Sequence, residues 1–451
     1  MDMQKRWIIL FVALLSISFL GLFYSGHEGM FTDIDSNLNF ADIAWMITAT
    51  IFVLMMTPGL SFFYGGMVRS KNVISTMLQS FIAMGVISVI WVVVGFSLAF
   101  GEDVGHFIGN PGTFFMFVNV GGATDKLLAP TIPLALYALF QMKFAIITPS
   151  LITGSFAERV RFSGYLVFMI LFCIFVYCPL AHWTWHPDGF LRQMGVLDFA
   201  GGIVVHASSG VAALAGAIFL GRRKESGQPA NIPFVLLGAA MLWLGWFGFN
   251  AGSSLAANSI AVKAFLNTNT ASATAMMTWV VFDCLRGRKP SAMGAAIGAV
   301  VGLVAITPSA GYVTVGESIF IALVVTVICN MAVSWKNKKN SFDDALDVFP
   351  THGVGGIVGT IMTGIFVYNA TENITYWQNL LNHIIAVVIV CGYTFIVTYA
   401  LYWITDKMIP MRVSEKSEKI GLDMSQHDER YGIETNRELA EYFDHGVDTK
   451  S

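Results

Sequence analysis

The amino-acid sequence predicts an all-α polytopic membrane protein with about eleven transmembrane helices. Three observations support this prediction. The composition is 55% hydrophobic and only 12% charged, with 43 Gly and 36 Phe in 451 residues, which is unlike a soluble domain. Apolar segments of about 20 residues recur along the chain, and clusters of basic residues lie in every second connection between them. The net charge of −3 and the scattered basic residues give no indication of nucleic-acid binding.

The N-terminal segment is apolar from residue 7 to residue 24 and follows Lys5 and Arg6. A basic start before a short apolar stretch is typical of a secretory signal peptide, although no clear Ala-x-Ala cleavage site follows it. Residues 1–27 are therefore predicted to be either a signal peptide or an uncleaved N-terminal anchor. In both cases the chain resumes outside the cell before the first span.

The predicted membrane domain covers residues 28–408, and its apolar segments are long enough to cross a bilayer as helices. They lie near residues 42–64, 72–100, 131–153, 163–182, 200–220, 233–251, 267–285, 292–310, 315–335, 345–368 and 380–406. Five cysteines lie in or beside these segments without metal-type spacing, so neither a disulfide framework nor a zinc site is predicted.

The basic residues predict the orientation of the chain, because cytoplasmic loops carry an excess of lysine and arginine. The basic loops contain Arg69 and Lys71; Arg159 and Arg161; Arg222, Arg223 and Lys224; Arg286, Arg288 and Lys289; and Lys336, Lys338 and Lys339. The intervening loops hold Lys126, Arg192 and Lys263. This distribution predicts an N-terminus outside and a C-terminus inside, with residues 409–451 as a cytoplasmic regulatory or docking tail.

An odd number of spans favours two inverted five-helix repeats plus one C-terminal helix. Such repeats place the fifth and tenth spans in matching positions, and these two spans carry His206 and His352. Ionisable residues at membrane depth usually mark a functional pathway, although a single histidine can also serve to hydrogen-bond neighbouring helices. Two histidines in matching positions favour a site at the interface between the repeats, where substrate sites of inverted-repeat proteins lie.

Several motifs are similar to those of the ammonium transporter family (Amt/Mep/Rh), in the same order along the chain. They are PGLSFFYGGMVRSKN at 58–72, FQMKFA at 140–145, AER at 157–159, DFAGG at 198–202 leading to His206, WFGFNAGS at 246–253, DVF at 347–349 leading to His352, and GLD at 421–423 with His427. The resemblance extends from about residue 40 to residue 432 and favours the Amt branch over the Rhesus branch. It implies a homotrimer with one pore per subunit, ammonium or ammonia as the substrate, and no cofactor.

The resemblance also implies roles for individual residues. Trp185, Phe140 and Ser253 match an outer vestibule in which an indole face attracts ammonium by a cation–π interaction and a hydroxyl accepts a hydrogen bond. By sequence alone, the position of Trp185 favours an aromatic anchor at the membrane interface. Phe140 and Phe144 lie four residues apart on one helix face and match a phenyl gate, although spaced phenylalanines are common in protein cores.

Below the gate, the family's pore is apolar and lined by the histidine pair, His206 and His352. Desolvation lowers the pKa of ammonium, so the cation is expected to lose its proton and pass as ammonia, with the paired imidazoles able to receive or relay the proton. Asp198 matches a buried acid expected to hold backbone N–H groups. Lys143 departs from the pattern and is expected to point away from the lumen and to reach the interface or an acid.

Other interpretations remain open on sequence alone. The chain could sense ammonium and signal through its tail, or His206 and His352 could be axial ligands of a haem electron carrier. His182 and His186 have a metal-capable spacing if they are helical, but Pro187 indicates that the helix has ended. The tail segment 421–430 resembles a segment that docks a PII-type signal protein. Passive ammonia conduction and electrogenic transport are not distinguished by the sequence.

Overall fold

A computed structural model describes residues 3–23, 37–339, 342–367 and 374–432. The end of the predicted leader, residues 24–27, and the last part of the tail, residues 433–451, lie outside the described residues. Within these ranges the chain is almost entirely helical. The α-helices in chain order are α1 (Met3–Gly21), α2 (Phe40–Met67), α3 (Val73–Ile90), α4 (Phe96–Phe100), α5 (Leu134–Ile152), α6 (Phe162–Phe172), α7 (Cys178–Trp185), α8 (Phe190–Gln193), α9 (Ser208–Leu220), α10 (Ile232–Trp246), α11 (Ser259–Leu285), α12 (Ala292–Ile306), α13 (Val315–Lys339), α14 (Val354–Phe366), α15 (Tyr376–Met408), α16 (Glu415–Ile420) and α17 (Leu422–His427).

The prediction of about eleven apolar spans is confirmed, because each predicted segment contains a helix in the part of the chain that the structure describes. Eight helices there are long and apolar enough to cross a membrane by length and composition. The remaining predicted spans correspond to α11, to the shorter apolar α12, and to α14 with the turn before it. The predicted leader is helical in α1, and whether it is cleaved stays a prediction.

Several spans contain a π-helical turn, in which the backbone hydrogen bond reaches one residue further than in an α-helix. These turns are Trp91–Gly95, Cys173–Tyr177, Gly202–Ala207, Phe247–Ala251 and Phe349–Gly353. Such turns are rare and are often found at functional sites, because the extra residue changes the direction of neighbouring side chains. Here, two of them carry the histidines that the sequence singles out, His206 and His352.

Two glycines allow the fifth and tenth spans to pack backbone against backbone. A Cβ atom on Gly210 would lie 2.1 Å from the amide nitrogen of Gly353, and one on Gly356 would lie 2.6 Å from the amide nitrogen of Ala207. No other residue fits at such distances, so these glycines set the separation of the two helices. The close approach brings the two histidines to the same level of the protein.

The ends of the spans carry the polar elements. A short antiparallel hairpin, β1 (Asp103–Val104) and β2 (Ile108–Gly109), lies on the side predicted to face outward, here called the outer side. On the opposite side, the carboxylate of Glu158 forms ion pairs with Arg69 at 3.0 Å and with Arg223 at 3.1 Å.

The tail returns to this side of the membrane domain. The carboxylate of Asp423 accepts hydrogen bonds from the amides of Ile74 and Ser75 at the start of α3, at 3.1 and 2.8 Å. The buried carboxylate of Glu418 pairs with Arg412 at 2.8 Å and accepts the Lys224 amide at 2.6 Å. The tail is thus held to the membrane domain through charged and capping hydrogen bonds.

Candidate functional site

The two histidines of the fifth and tenth spans form a buried pair. Their Nδ1 atoms lie 3.3 Å apart and their ring centroids 5.4 Å apart. His206 is only 1% exposed to solvent and His352 only 2%. One Nδ1 must donate and the other accept, so one neutral ring presents a bare Nε2 and the other presents Nε2–H. The pair therefore offers one acceptor and one donor beyond its shared hydrogen bond.

The pair borders a narrow, otherwise apolar cavity. Its other lining residues are Met56, Leu60, Phe63, Ile147, Leu151, Leu242, Trp246, Phe249 and Val300. The His206 ring stacks on the indole of Trp246 at 5.2 Å and 18°, and Trp246 is fixed in turn by a 2.9 Å hydrogen bond to the Thr307 hydroxyl. The Nε2 atom of His206 is buried and has no hydrogen-bond partner within the described ranges, so it is free to contact a small molecule.

A series of aromatic rings leads from Trp185 to the histidines. The Trp185 ring meets Phe144 edge to face at 5.8 Å, Phe144 stacks on Phe249 at 4.1 Å and 23°, and Phe249 lies 5.9 Å from His206. Phe140 and Phe144, which were predicted to form a phenyl gate, meet edge to face at 4.9 Å and 64°, and the gate itself stays a prediction. The face-to-face partner of Phe144 comes from another helix, because Phe249 belongs to the turn after α10.

The sequence interpretation therefore missed Phe249. This residue belongs to the π-helical turn after α10, directly across from Phe144 on α5. It stands inside the WFGFNAGS segment that carries the family resemblance, three residues after Trp246. That segment was the only signal for it, because a phenylalanine in an apolar helix does not otherwise differ from its neighbours.

Trp185, at the last turn of α7, is half-buried and held in place by two contacts. Its Nε1–H donates to the backbone carbonyl of Asp198 at 3.0 Å, and Gly201 packs against its six-membered ring. Gly201 has φ +114°, a conformation that favours glycine. These contacts place the indole at the outer end of the ring series.

The other two predicted vestibule residues lie near one another. The Phe140 ring packs against the backbone of Gly252, next to Ser253. The Ser253 hydroxyl donates to the Phe249 carbonyl at 2.8 Å, which leaves its oxygen lone pairs able to accept a further hydrogen bond. Phe140 touches Phe144, which in turn touches Trp185, so the three predicted residues border the same end of the ring series.

Asp198 organises the backbone that precedes His206. Its two carboxylate oxygens accept the amides of Gly201, Gly202, Ile203 and Val204 at 2.6–3.2 Å. These amides are otherwise unpaired at the start of the helix, and an acid there also interacts favourably with the helix dipole. Asp344 does the same for the tenth span, accepting the amides of Val348 and Phe349 at 3.1 and 2.7 Å.

Lys143 and the outer histidines differ from the pore residues. Within the described part of the chain, the Lys143 ammonium makes one polar contact, at 3.7 Å to Met142 Sδ, so the expected pairing with an acid is not seen there. α7 ends at Trp185, so His186 lies beyond the helix, and the described residues contain no cluster of three or more ligands able to hold a metal ion.

A multi-pass helical chain in which a series of aromatic rings leads to a buried histidine pair fits the class of membrane transport proteins. The comparisons with known proteins agree with this class. The profile of the Ammonium Transporter Family matches residues 44–431. A putative ammonium transporter of Methanothermobacter thermautotrophicus is 45% identical over 402 residues, which cover 87% of this chain and 98% of the relative. The ammonium transporter of Aquifex aeolicus is 42% identical and covers 92% of this chain and 99% of its own length.

Solved structures give the same result. Saccharomyces cerevisiae Mep2 superposes with a TM-score of 0.81 at 33% identity, covering 90% of this chain and 94% of Mep2. A structure described as a sensor Amt protein has a TM-score of 0.79 at 30% identity, covering 86% of this chain and 98% of its own. The chain belongs to the Ammonium Transporter Family, and it is a multi-pass protein of the cell membrane that transports ammonium.

Proposed function

We propose that this protein takes up ammonium by recruiting the cation at Trp185, transferring its proton to the pair His206 and His352, and passing ammonia along the cavity that the pair borders, while the pair relays the proton inward. The observation that carries the proposal is the Nδ1–Nδ1 contact of 3.3 Å at the end of a continuous series of aromatic rings. An aromatic and apolar route favours the neutral molecule, because an unpaired ammonium ion loses far more solvation free energy than ammonia does.

Recruitment uses the outer end of this route. The indole face of Trp185 and the ring of Phe140 attract the cation, an interaction worth about 0.5–2 kcal/mol, and the Ser253 oxygen accepts one of its N–H groups. Since the Ser253 hydrogen already points at the Phe249 carbonyl, the oxygen is oriented for this contact. The stacked rings of Phe144 and Phe249 separate this position from the histidines and keep the hydrated cation out.

The histidine pair then handles a molecule that has both a lone pair and N–H groups. The bare Nε2 of one imidazole accepts an N–H of ammonia, and the Nε2–H of the other donates to its lone pair. The shared Nδ1 hydrogen bond lets a proton move between the rings, so the titration of the site belongs to the pair. A potassium ion has no N–H to donate, no lone pair for the Nε2–H and no proton to lose, so it would have to enter the apolar cavity as a charged ion, and this difference gives selectivity against potassium.

The test is the ammonium-evoked current of proteoliposomes on a solid-supported membrane, comparing the intact chain with His206→Ala and His352→Ala. We expect a current in the intact chain, and its loss or the appearance of a potassium current in both variants. Val104→Ala, on the exposed hairpin, serves as the control. Equal ammonium currents and unchanged selectivity in both pair variants would contradict the proposed role of the histidines. An intact chain without current but with internal alkalinisation would indicate silent ammonia conduction.

We further propose that the protein is a homotrimer whose tail docks a PII-type signal protein. The contacts of Asp423 with α3 and of Glu418 with Arg412 and Lys224 support a tail that can act on the membrane domain. Native mass spectrometry measures the trimer. Docking is measured by capture of the organism's own PII proteins at varied concentrations of ATP, ADP and 2-oxoglutarate. If no PII protein is captured under any of these conditions, the docking proposal is excluded.

Ammonium sensing through the tail is the second candidate function. The same tail contacts support it, as does the similarity to the sensor Amt protein. It is favoured over uptake if folded protein gives neither an ammonium current nor a change of internal pH, while ammonium still alters proteolysis of the tail.

A further inference from the structure

His182 is a buried histidine that the proposed transport route does not use. It lies in α7, three residues before Trp185, and is fully buried. Its Nδ1 lies 3.0 Å from the carbonyl oxygen of Ala99 at the end of α4, and its Nε2 lies 2.9 Å from a carboxylate oxygen of Asp103 in β1. The imidazole of His182 therefore connects α7 to two successive elements of the same chain, the end of α4 and strand β1.

The partners of His182 fix its protonation. A carbonyl oxygen and a carboxylate oxygen only accept hydrogen bonds, so both ring nitrogens of His182 must donate. A neutral imidazole has a single N–H and would leave one nitrogen facing an acceptor. Both contacts are satisfied when the ring is an imidazolium, which forms a charge-assisted hydrogen bond with Asp103.

The groups around His182 and Asp103 also indicate that His182 carries the proton and that Asp103 is ionised. The Asp103 carboxylate also accepts the backbone amide of His106, at 2.9 and 3.2 Å. Burial raises the pKa of Asp103, but the hydrogen bonds from His182 and from the His106 amide outweigh it and lower the pKa overall, so the carboxyl is ionised. His186 stacks on His182 at 4.4 Å and 15°, and its Nδ1 accepts the Asp188 amide at 3.1 Å. That nitrogen is bare, so His186 is neutral and adds no second positive charge.

The position of Trp185 depends on where α7 ends. On one side, the Trp185 indole is tied to the Asp198 carbonyl, and on the other side its helix is tied through His182 to α4 and the outer hairpin. α7 is the end of one continuous helix that runs from Phe162 through the π-helical turn to Trp185, and the Trp183 Nε1–H also ties its last turn to the hairpin by donating to the Phe107 carbonyl at 2.7 Å. A cation–π contact weakens when the ring face tilts away from the cation.

From this geometry we infer that His182 is a positioning residue for ammonium recruitment: as a buried imidazolium bound to Asp103 and to the Ala99 carbonyl, it fixes the indole of Trp185 at the vestibule. The inference rests on the proposed role of Trp185. It assigns a defined task to the outer hairpin, which otherwise has no part in transport. It also separates His182 from His186, which stacks on it but does not bridge two elements in this way.

The test measures ammonium-evoked currents against ammonium concentration in proteoliposomes of the full chain, with His182→Gln, Asp103→Ala and Asp103→Asn. Glutamine cannot donate in two opposite directions, and Asp103→Ala removes one partner, so both variants should raise the half-saturating concentration about threefold or more with little change in maximal current. In Asp103→Asn the new side-chain amide can donate to the Nε2 of a neutral His182, so this variant should restore the half-saturating concentration of the intact chain. Val104→Ala, which changes an exposed and uncharged side chain of the same hairpin, should behave as the intact chain does.

Histidine-selective nitrogen-15 NMR of the same proteins at pH 7 reads the charge directly. A histidine ring with both nitrogens protonated should be present in the intact chain and absent from His182→Gln and Asp103→Asn. If no such ring is present in the intact chain, the inference that His182 is an imidazolium is wrong.

An unchanged half-saturating concentration in His182→Gln, or a fall in maximal current alone, would contradict the positioning role of His182. If His182→Gln does not fold, Asp103→Ala supplies the same comparison. An intact chain with neither an ammonium current nor a change of internal pH would contradict the proposed function instead, and the NMR result would still decide the charge.

Discussion

The phenyl rings of Phe144 and Phe249 stack face to face with centroids 4.1 Å apart, one from α5 and the other from a π-helical turn after α10. Both side chains belong to residues that are almost fully buried. Trp185 touches this pair from the outer side, and His206 lies 5.9 Å from Phe249 on the other side. The stacked rings therefore stand between the position proposed for the cation and the histidines.

Replacing Phe249 with alanine should open this barrier. A cavity next to His206 would admit water, so water permeability should rise several-fold and ammonium selectivity should fall. Osmotic shrinkage of proteoliposomes, followed by stopped-flow light scattering, measures the permeability. Phe247→Ala is the matched control, because Phe247 lies in the same turn but stacks on Phe265 at 4.0 Å instead. Equal shrinkage rates for the two variants would show that the stacked pair is not the barrier.

The sequence predicted the parts of this site that differ chemically from a membrane core. His206 and His352 are titratable groups in apolar segments, and such groups are expensive enough in a bilayer to be informative. The spans were predictable because their length follows from the thickness of the membrane. Asp198 was identifiable as an acid at the start of a span, where unpaired amides need an acceptor.

Phe249 and the π-helical turns could not be predicted in the same way. A π-helical turn depends on how a helix packs against its neighbours, and no side-chain pattern in WFGFNAGS or FPTHG distinguishes it from an α-helix. The stacking of Phe144 on Phe249 also joins residues 105 positions apart, whereas helical periodicity relates only neighbours such as Phe140 and Phe144.

Asp198→Asn should both destabilise the protein and weaken recruitment. An amide offers one acceptor oxygen in place of a carboxylate that binds four backbone amides, a loss of about 2–4 kcal/mol in the free energy of unfolding. The half-saturating ammonium concentration should rise as well, because loss of the side-chain bonds lets the backbone at residue 198 shift, and the backbone carbonyl there accepts the Trp185 indole N–H. Thermal unfolding and concentration-dependent currents measure the two effects. Asp344→Asn removes the equivalent helix cap far from Trp185, so it should lower the unfolding temperature without changing the half-saturating ammonium concentration. An equal rise in the half-saturating concentration in Asp344→Asn would contradict the specific link between Asp198 and Trp185.

Lys143→Met should raise stability without changing transport. The ammonium of Lys143 lies in a buried position in α5, and its one polar contact in the described ranges is with a thioether. Methionine fills a similar volume and avoids burying a charge, so unfolding should cost about 1–3 kcal/mol more. The unfolding midpoint in detergent measures this, with Lys126→Met on an exposed loop as the control. A lower midpoint in Lys143→Met would reveal a partner outside this chain, such as lipid or another subunit.

Asp343→Asn should destabilise the protein more at neutral pH than in acid. Burial raises the pKa of Asp343, but its hydrogen bonds with Arg223 and the charge of Arg159 outweigh this and lower the pKa from 3.8 to about 2. A carboxyl whose pKa is lowered by folding stabilises the folded state above its unfolded pKa, here by about 2 kcal/mol. That contribution is lost as the pH falls from about 4 to about 2, and about half should remain at pH 3. The gap between the unfolding midpoints of the intact chain and the variant should therefore narrow from pH 6 to pH 3, and a constant gap would refute the linkage.

Asp423→Ala should release the tail without removing it. The carboxylate is buried and caps the start of α3 through Ile74 and Ser75, and the neighbouring Leu422 amide donates to Asn72 Oδ1 at 2.8 Å. Loss of a cap costs about 1 kcal/mol or more, enough to shift a short docked segment toward the free state. If docking supports transport, the ammonium current should fall about as far as in a chain ended after Ser414, which keeps the pairing of Val160 with Arg412.

Glu429→Ala supplies the control for this tail experiment, because Glu429 is exposed and its backbone amide, rather than its side chain, bonds to Asp423. Limited proteolysis reports whether the tail is free, and native mass spectrometry reports whether the trimer persists. A tail that is cleaved faster in Asp423→Ala while the current stays equal to that of the intact chain would separate docking from transport. In that case the contact between Asp423 and α3 would hold the tail for a partner rather than for the pore.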